Sequence, residues 1–593
     1  MSPRRPFVDS AELLPPGPLR HAYKVVRPLF DRISKLDRIN GIYRQLQRPE
    51  MTPQLFCEEG LKLVGATFLL PADEELAPLR AWQGPLVIMA NHPFGGRESL
   101  VLMLLLERIR PGGWRLFSNE VLARTPELAP HLIAVDPFIK SNPANRKGMV
   151  QARRFLGEGG LLAAFPGGRV AGWDAPYQQV LDTPWSDHPA RLAAATGAAV
   201  ALIHFPGHNS ELFLKVPLRW PRFRAMFLAR EMLQPDKPPV QCRIGPVLDP
   251  PTVSGLVKAG NAGAKFRARC HLVSEQVAGP AAENPSAMPP VDSPGDSALM
   301  QAEVDKLGHS PSLLFEQGKF RILLFQKHEA PHLFYELARL REITFRASGQ
   351  GSGRPLDITP EDDYYHQLVM WDSTQQRLAG AYRLGFTREV MREHGQDAIY
   401  LNHVFLMEAA FFDRLGPAIE LTRSFLHPDY QREPLALALL WRGLGHVVAA
   451  HPEIKCLFGS VTISAAISPA SRAVLVEHLR RHHSDDPSLR SLVKPRAAFM
   501  APGISQHLLA DAHAGDPIES LRDTIRSADG TVCAIPPLIR HYLALNARFI
   551  DYHVEKDFGD ALYCLLRVDL TKVPRPHLRR FTGDEAADRL LGS

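Results

Sequence analysis

The sequence predicts an α/β protein with two domains, and three observations lead to that prediction. The chain has 593 residues, which is more than one hydrophobic core usually fills. Apolar runs typical of strands alternate with helix-like segments in both halves. Residues 276–312 are rich in Pro, Ser, Gly and Ala and cannot bury enough apolar surface to offset the entropy of ordering. We therefore expect an N-terminal segment at 1–48, a first domain at 49–275, a flexible linker at 276–312 and a second domain at 313–593.

Composition argues against several classes of function. The formal net charge of +6 is mild and no basic-aromatic motif accompanies it, so we expect no nucleic-acid partner. This charge suits an anionic membrane face or an acidic carrier protein. No apolar run approaches the roughly 18 residues of a membrane span and no signal peptide is evident, which favours a cytoplasmic protein. The six cysteines show no Cys-x-x-Cys spacing, so we expect no metal site and no redox site.

The N-terminal segment carries a helical pattern. Apolar residues recur at spacings of three and four between residues 22 and 47, with basic residues among them. The apolar positions are Val26, Leu29, Ile33, Leu36, Ile39, Tyr43 and Leu46. The pattern predicts an amphipathic basic helix, which either lies in a membrane interface or packs on its own domain. Both alternatives can hold for different turns of the helix.

The first domain is organised around residues 91–98, Asn-His-Pro-Phe-Gly-Gly-Arg-Glu. They follow an apolar run at 85–90 and precede a helix-like stretch at 99–109, so a buried strand ends on Pro and two glycines and re-enters a helix. Such a turn presents polar side chains at the end of a sheet, where ligands bind in open α/β sheets. We predict His92 as a general base and Glu98 as the carboxylate that orients it. The alternative is a turn-capping histidine with a solvated glutamate nearby.

Residues 161–169 form a second such element, an apolar strand that breaks into a Pro/Gly turn and ends in a cation. The two elements together resemble the glycerolipid (lysophospholipid) acyltransferase superfamily. Its first motif, NHxxxxD, corresponds to Asn91-His92 with the acid at Glu98, and its third, FPEGT/R, corresponds to the last five residues of the second element. The resemblance spans roughly residues 80–250 and implies an O-acyltransferase.

Two departures from the family pattern bear on the acceptor. The acid lies one residue late and is Glu rather than Asp, and Gly167 replaces the usual Glu of the third motif. In the implied reaction His92 deprotonates a hydroxyl, and turn chemistry makes the backbone amides near Gly167 and Gly168 candidates for stabilising the oxyanion. Arg169 can bind a carboxylate or a phosphate through two hydrogen bonds. We therefore predict all three of these turn residues, 167–169, to bind substrate.

The elements of the first domain alternate along the chain. We predict helices at 99–109, 146–157 and 187–196 and strands at 85–90, 132–135, 161–165, 199–205 and 240–247. Alternation at this spacing predicts a layered α/β domain with a largely parallel or mixed sheet.

The second domain restarts the alternation after the linker. We predict a helix at 331–346, an acidic loop at 357–363, strands at 367–372 and 377–384, a run through 419–428, a Leu/Ala-rich helix at 435–446 and a strand at 456–461. A strand that feeds a long Leu/Ala helix and returns to another strand resembles the central unit of the GNAT acyltransferase fold.

A more specific resemblance covers roughly residues 318–570. Its motifs are Leu340-Arg341 with Phe345, the acidic loop before Tyr365-His366, Gly380-Ala381-Tyr382-Arg383, Glu420-Leu-Thr-Arg423-Ser424 with His427-Pro428, Leu440-Trp441-Arg442-Gly443-Leu444, and residues 534–543 and 557–559. These motifs resemble the ornithine N-acyltransferases, which are relatives of the acyl-homoserine-lactone synthases within the GNAT-like group.

The resemblance points to a substrate site among these motifs. We predict Glu420 as the base for the α-amine of an amino acid, or as the group that binds its ammonium. Arg423 suits the substrate carboxylate or an ion pair with the acidic loop, and Ser424 follows it; ordinary polar strand residues are the alternative. The remaining residues that we predict to bind substrate are Arg341, Asp357 and Asp363.

Acyl carrier protein is the predicted donor partner. The GNAT pyrophosphate loop, R/Q-x-x-G-x-G/A, is present only as Gln431-Arg-Glu-Pro434-Leu-Ala436. It lacks the glycine whose backbone would approach the diphosphate of CoA. An acyl-ACP thioester then serves as the donor substrate, and we expect no cofactor.

The order of the two halves resembles the bifunctional ornithine-lipid synthases. That resemblance implies N-acylation of an amino acid, expected to be ornithine, with a 3-hydroxyacyl group in the second domain. The first domain would then O-acylate the hydroxyl of this lyso-lipid at the inner face of the cytoplasmic membrane. The alternatives are a lysophospholipid acyltransferase fused to an N-acyltransferase of another substrate, and a membrane-surface protein with one inactive domain. Retention of His92 and Arg169 argues against an inactive first domain.

Overall fold

The computed structural model describes most of the chain. The described residues are 23, 27–29, 31–48, 50–123, 125–136, 142–174, 179–216, 221–234, 237–273, 288–433, 435–465, 467–499, 536–556 and 560–591. They divide into two compact units, one before residue 278 and one after it. Among these residues, no helix combines the length and the apolar character that crossing a bilayer requires.

The first unit consists of short strands joined by helices. Its strands are β1 (Leu86–Ala90), β2 (Trp114–Ser118), β3 (Leu132–Ala134), β4 (Leu161–Ala164), β5 (Gly172–Asp174), β6 (Gln179–Leu181), β7 (Ala199–His204) and β8 (Arg243–Ile244). Its helices are α1 (Leu36–Leu46), α2 (Pro53–Leu63), α3 (Asp73–Ala81), α4 (Arg97–Ile109), α5 (Glu120–Ala123), α6 (Pro143–Gly157), α7 (His188–Thr196), α8 (Glu211–Leu214), α9 (Pro221–Met232), α10 (Pro250–Lys258) and α11 (Ala262–Val273).

Six of these strands form one sheet in the order β3-β2-β4-β1-β7-β8. The strands from β3 to β7 run parallel, and β8 adds to β7 in the antiparallel sense. Every residue of β1 is buried, which explains why its sequence is continuously apolar. Because β1 pairs with β4 on one side and with β7 on the other, the turns that follow these strands meet at one sheet edge. The predicted α/β class is confirmed.

The predicted amphipathic helix divides into two parts. The apolar side chains of α1 that are buried in the first unit are Leu36, Ile39, Tyr43 and Leu46. Upstream of α1, Leu29 and Ile33 remain 65% and 56% exposed. Val26 lies outside the described residues. The C-terminal turns of the predicted helix therefore pack on their own domain, and exposed apolar side chains precede them.

The second unit is built around a larger sheet. Its strands are β9 (Leu313–Gln317), β10 (Phe320–Gln326), β11 (His366–Asp372), β12 (Arg377–Phe386), β13 (Phe405–Met407), β14 (Ala418–Leu426), β15 (Cys456–Ile463), β16 (Val493–Pro495), β17 (Arg548–Glu555) and β18 (Ala561–Asp569). Its helices are α12 (Ser297–Gly308), α13 (Pro331–Ala347), α14 (Thr387–His394), α15 (Ala409–Leu415), α16 (Ala436–Ala450), α17 (Pro469–His482), α18 (Pro487–Arg490), α19 (Pro537–Ala544), α20 (Arg575–Thr582) and α21 (Asp584–Leu591).

This sheet opens between two parallel strands at its centre. Eight strands lie in the order β17-β18-β15-β14-β12-β11-β10-β9, and β14 and β15 pair parallel. Their paired register ends at Leu421 and Gly459, although β14 continues to Leu426 and β15 to Ile463. Gly459 permits the last close approach, because a Cβ there would lie 2.6 Å from the carbonyl oxygen of Leu421. Beyond this point the strands part.

A β-bulge in β14 lies at the same level as this opening. In the pairing with β12, Ala381 stands opposite Phe425 and Arg383 stands opposite Thr422, so β14 carries one extra residue. Arg423 lies in the bulge with φ of +50°, in the left-handed region that is costly for a residue with a Cβ. Such outliers persist where the surrounding contacts fix them, and they cluster at functional sites.

Part of the predicted linker adopts regular structure. Residues 274–287 lie outside the described residues. Residues 297–308 form α12, which buries Met300, Val304 and Leu307 in the core that also contains α13. The structure therefore differs from the flexible linker predicted for 276–312 over this helix, because apolar residues at spacings of four and three give it a buried face.

Helix α16 packs against α20 through Gly445. A Cβ at this position would lie 1.7 Å from the carbonyl oxygen of Phe581, so Gly445→Ala forces the two helices apart. We expect this variant to lose about 1–3 kcal/mol of stability, seen as a lower midpoint in calorimetric unfolding of the full chain. The matched control is Gly255→Ala, which adds the same methyl group to an exposed turn of α10 with no neighbouring atom within 4 Å. That control should unfold at or above the wild-type temperature, and a wild-type midpoint for Gly445→Ala would contradict the packing.

Candidate active sites

The structure brings His92 and Glu98 together, as the sequence predicts. His92 follows β1 and Glu98 opens α4, and His92 Nδ1 lies 3.0 Å from Glu98 Oε1. The same carboxylate oxygen accepts the backbone N–H groups of Phe94 at 2.8 Å and Gly95 at 2.7 Å. Gly95 supplies the φ of +94° that this turn needs. Glu98 is fully buried, so the alternative of a solvated glutamate is not what the structure shows.

The environment of Glu98 keeps its charge. Burial by itself would raise the pKa of this carboxyl, but the bond to His92 and the amides of Gly95 and Phe94 outweigh burial and lower the pKa. An ionised Glu98 favours the tautomer in which His92 Nδ1 carries the proton. The other ring nitrogen, Nε2, is then free of a proton and can act as a base.

The side chain of Asn91 and the ring of His92 both tie the His92 turn to neighbouring segments. The Asn91 side chain donates to the carbonyl oxygen of Phe205 at 2.8 Å and accepts from the N–H of Phe205 at 2.6 Å, which ties the turn to the end of β7. The His92 ring stacks on the Phe165 ring with centroids 4.3 Å apart. Asn91 therefore supports the turn, and the ring of Phe165 links it to the turn at 165–169.

The turn at 165–169, which corresponds to the third motif, lines a broad cleft of about 900 Å³. Its walls come from Phe117, from residues 135, 136, 145, 146 and 149, from residues 164–169, and from residues 183–189 and 191. Arg169 is part of this lining, and its guanidinium makes no ion pair with any residue the structure describes. A guanidinium in this lining has the geometry to bind a carboxylate or a phosphate.

The two glycines of this turn differ in what their amides can do. The N–H of Gly168 donates to the carbonyl oxygen of Phe165 at 2.9 Å and closes the turn, with φ of +65°. The oxyanion role predicted for the Gly168 amide does not fit this geometry, because the N–H already has a partner. The Gly167 amide has no such partner within the described part of the chain, so it remains the candidate.

An apolar pocket of about 220 Å³ adjoins the His92 turn. It lies between α1, α2, α4 and α9 and reaches Gly95 and Gly96. Its apolar lining residues are Leu36, Ile39, Ile42, Tyr43, Leu46, Phe56, Val64, Leu100, Met103, Leu122, Leu228, Ala229 and Met232. No motif in the sequence predicts this pocket, although the helical pattern at 22–47 predicts the helix that forms one of its walls.

In the second unit a cleft of about 380 Å³ occupies the opening between β14 and β15. Arg423 and Ser424 both line it. Arg423 Nε lies 3.0 Å from Asp357 Oδ2, and Arg423 Nη1 donates to the hydroxyl of Tyr400 at 2.7 Å. The ion pair between Arg423 and the acidic loop, one of the predicted alternatives, is therefore present. Because Asp357 is buried, it holds the arginine and does not bind substrate.

Glu420 lies beneath this cleft rather than in its described lining. Its carboxylate accepts the N–H of Leu401 at 2.7 Å, the N–H of Tyr400 at 3.2 Å and the hydroxyl of Tyr365. Burial raises the pKa of Glu420 to about 7, partly offset by Tyr365 and the Leu401 amide. A fully buried carboxylate does not reach an amine in the cleft, so the base role predicted for Glu420 does not fit. It holds the turn that carries Tyr400 instead.

Tyr400 and Tyr563 are site residues that sequence reasoning missed. Both line the cleft, and the Tyr400 hydroxyl contacts Arg423. Tyr400 lies between the motif that ends at Arg383 and the motif that begins at Glu420 and belongs to neither. Tyr563 lies in β18, more than 130 residues after Arg423. Only the pairing of β15 with β18 brings Tyr563 to the opening.

Two predicted substrate-binding residues lie elsewhere. Arg341 is fully buried, with Nη1 2.9 Å from Asp362 Oδ1 and Nη2 donating to Gln367 Oε1 at 2.6 Å. Asp363 is exposed and pairs with Lys327 at 2.6 Å. Neither is among the described residues that line the cleft. Arg341 therefore has a structural role.

Pro434, on which the predicted preference for acyl carrier protein rests, lies outside the described residues.

The raised pKa of Glu420 predicts a pH-dependent stability. Folding favours the protonated carboxyl, so its stabilisation is complete below about pH 4.5 and is lost as pH rises through about 7. Glu420→Gln mimics the protonated form and lacks this loss. Relative to wild type, the variant should gain up to about 3 kcal/mol between pH 5 and pH 8. Urea unfolding of both full chains at the two pH values measures this, and a stability difference that does not change with pH would contradict it.

Comparisons with known proteins bear on the second unit. Residues 340–442 match the acetyltransferase (GNAT) domain family, and this range contains Glu420 and Arg423. The chain is 29% identical over 252 residues to a glycine N(alpha)-acyltransferase of Phocaeicola vulgatus, covering 40% of this chain and 76% of that relative. It is 29% identical over 253 residues to a glycine N(alpha)-acyltransferase of Bacteroides thetaiotaomicron, covering 40% of this chain and 74% of that relative.

These matches confirm the GNAT-like part of the sequence prediction. The second unit contains a GNAT acetyltransferase domain, and the chain is related to N-acyltransferases. The resemblance of the first unit to glycerolipid acyltransferases stays a prediction. The protein is an acyltransferase.

Proposed function

We propose that this chain makes an aminolipid by two successive acyl transfers at two separate sites. The second unit N-acylates an amino acid with a 3-hydroxyacyl group delivered by acyl carrier protein. The first unit then esterifies the 3-hydroxyl of that lyso-lipid with a second acyl group. The observation that carries this proposal is that each unit has its own polar site, with His92 on Glu98 in one and Arg423 on Tyr400 in the other.

The N-acyl transfer requires a neutral amine. The α-amine attacks the thioester carbonyl and the C–N bond forms. The C–S bond then breaks, and the thiolate leaves with the proton that the amine gives up. An α-amino pKa near 8 leaves only a minority of the amine neutral at pH 7, so a group that accepts its proton helps. Because this pKa is only about one unit above pH 7, a weak hydrogen-bond acceptor in the cleft suffices. The hydroxyl of Tyr400 is our candidate for this acceptor, because Tyr400 lines the cleft. Arg423 holds its hydroxyl, and Glu420 holds its backbone N–H.

The O-acyl transfer requires a stronger base, because an aliphatic hydroxyl is far less acidic than an ammonium. His92 takes the hydroxyl proton as the oxygen attacks the thioester carbonyl, and the thiolate leaves with a proton from the imidazolium. Glu98 stabilises the charged ring, and the Gly167 amide in the neighbouring turn donates to the oxyanion. The apolar pocket beside Gly95 and Gly96 suits an acyl chain.

The first unit is proposed to work on the inner face of the cytoplasmic membrane. Leu29 and Ile33 expose apolar side chains, and the sequence places Arg32 and Lys35 beside them. Basic residues next to exposed apolar ones favour an anionic lipid surface. Helix α1 follows directly and lines the apolar pocket, so a lipid chain would have a short route from the bilayer to His92.

Two amino acids are candidates for the acceptor. Ornithine is the expectation from the motif resemblance. Glycine is the second candidate, because none of the described residues that line the second-unit cleft is acidic, which leaves the side-chain ammonium of ornithine without a carboxylate partner there. The two related proteins are named as glycine N(alpha)-acyltransferases, which also supports glycine.

Replacing His92 separates the two reactions. The full-length His92→Ala chain should accumulate the mono-acylated lyso-lipid and lose diacyl product by about 100- to 10,000-fold, because a general base typically contributes that much. Mass spectrometry of lipid extracts from an expression host without aminolipids measures both species. N-acylation in the same sample is the internal control. Undiminished diacyl product would exclude His92 as the base, and loss of both species would mean that the sites are not independent.

A donor and acceptor matrix tests the second unit. The full chain is assayed for N-acylation with 3-hydroxyacyl-ACP and with 3-hydroxyacyl-CoA, each against ornithine and glycine. We expect the ACP thioester to be used far better, since the loop from Gln431 to Ala436 lacks the glycine that a CoA diphosphate needs. Equal rates with both donors would reject the carrier-protein proposal. A preference for glycine with either donor would replace ornithine as the acceptor and leave the reaction type standing.

A further inference from the structure

A short segment after β6 contacts both motif turns of the first unit. We call residues 182–186, Asp-Thr-Pro-Trp-Ser, the strap. They follow the hairpin formed by β5 and β6, and all but Asp182 line the broad cleft. The strap is more than 80 residues from His92 in sequence, and no motif of the sequence analysis includes it.

Asp182 holds the backbone of the catalytic histidine. It is 1% exposed, and the N–H of His92 donates to its Oδ1 at 3.0 Å and lies 3.3 Å from its Oδ2. Trp185 Nε1 donates to Oδ2 at 2.9 Å. The carbonyl oxygen of Asp182 accepts a hydrogen bond from the guanidinium of Arg267. The carbonyl oxygen of His92 is held as well, by the N–H of Ala171 at 2.8 Å.

The same strap holds the other turn. The Thr183 hydroxyl donates to the carbonyl oxygen of Gly167 at 2.6 Å, and the N–H of Ser186 donates to the carbonyl oxygen of Pro166 at 3.0 Å. A Cβ at Gly167 would lie 3.2 Å from both oxygen atoms of Thr183, so the strap also limits this position to a small residue.

We propose that the strap is a positioning element that fixes the His92 turn and the Gly167 turn relative to each other, with Asp182 as the positioning residue of His92. This inference rests on the proposed O-acyl transfer. A base and an oxyanion donor must face the same carbonyl carbon, and a displacement of about 1 Å can cost roughly 100-fold in rate. Asp182 is not in the lining of the cleft, so it acts through His92 and not on the substrate.

Asp182→Asn tests this role with little change in shape. Asparagine offers one oxygen and one NH2 group. An oxygen in the Oδ2 position keeps the Trp185 bond at 2.9 Å, but it leaves the His92 N–H with only the longer 3.3 Å contact, because an NH2 group replaces the Oδ1 acceptor at 3.0 Å. We expect kcat for O-acylation of the lyso-lipid by the full chain to fall about 10- to 100-fold, with KM for the lyso-lipid within about 2-fold of wild type because the cleft lining is unchanged. Hydrogen–deuterium exchange should rise in peptides that contain residues 91–96.

The matched control is Asp174→Asn. Asp174 lies on the same hairpin and 3.9 Å from the same Arg267, and no described contact joins it to His92. This variant should keep wild-type kcat and wild-type exchange at 91–96. Wild-type kcat and exchange in Asp182→Asn, or equal losses in both variants, would overturn the proposal.

A second variant covers the case in which Asp182→Asn fails to fold. Thr183→Val removes the hydroxyl that contacts Gly167 and keeps the side-chain volume. It should lower kcat and raise exchange at residues 165–170 but not at 91–96. Thr183 itself lines the cleft, so the exchange pattern and kcat decide the outcome and KM does not. Wild-type behaviour of Thr183→Val would then reject the strap. If the wild-type chain shows no O-acylation, the proposed function fails, and the exchange data still decide separately whether the strap holds the two turns.

Discussion

Buried carboxylates that accept several hydrogen bonds are the constraint on which both sites depend. A carboxylate removed from water costs several kcal/mol unless donors replace its hydration. Glu98 meets this requirement with His92 and two turn amides, and the pKa of its carboxyl is lowered. Asp182 accepts from His92 and Trp185, which offset its burial only in part, so the pKa of its carboxyl stays above the usual value. Each of these carboxylates therefore fixes the position of every donor that satisfies it.

The second unit applies the same constraint to a different geometry. Glu420 holds the turn that carries Tyr400, and Asp357 holds Arg423 in a left-handed conformation within the bulge of β14. Asp362 lies between the buried guanidinium groups of Arg341 and Arg383, and although burial would raise the pKa of its carboxyl, these cations hold that pKa far below its usual value. Tyr400 and Arg423, which line the opening between β14 and β15, are thus held in position by the carboxylates of Glu420 and Asp357.

Sequence reasoning predicted what local order determines. The spacing of His92 and Glu98 across a Pro/Gly turn into a helix was enough to predict their contact, because a helix N-terminus that follows a strand end leaves few conformations. The class of the fold followed from alternation. For Arg423 the sequence left open a substrate carboxylate, an ion pair with the acidic loop and an ordinary strand position, and the structure shows the ion pair.

Long-range placement could not be predicted. Asp182 reaches His92, and Tyr563 reaches Arg423, only through strand pairings that the sequence does not specify. A polar residue in a motif does not reveal whether it faces a ligand or a buried partner, which is why Arg341 and Glu420 were assigned to substrate. Helix α12 was hidden in a Pro- and Ser-rich stretch, since three apolar side chains are a small part of its composition. Strand β2 was missed because Trp114, Leu116 and Ser118 are buried while the residues between them are partly exposed, a weak pattern in a sheet otherwise marked by continuous apolar runs.

The central claim is that one chain carries two independent acyl-transfer sites that act in sequence through a released lyso-lipid. The most direct measurement mixes two purified full-length variants in one reaction, His92→Ala and Arg423→Ala, with acyl-ACP donors and the amino acid. The account predicts that the first variant alone yields lyso-lipid, the second alone yields neither product, and the mixture yields diacyl lipid. A mixture that yields lyso-lipid but no diacyl lipid, beside a wild-type chain that yields both, would contradict it.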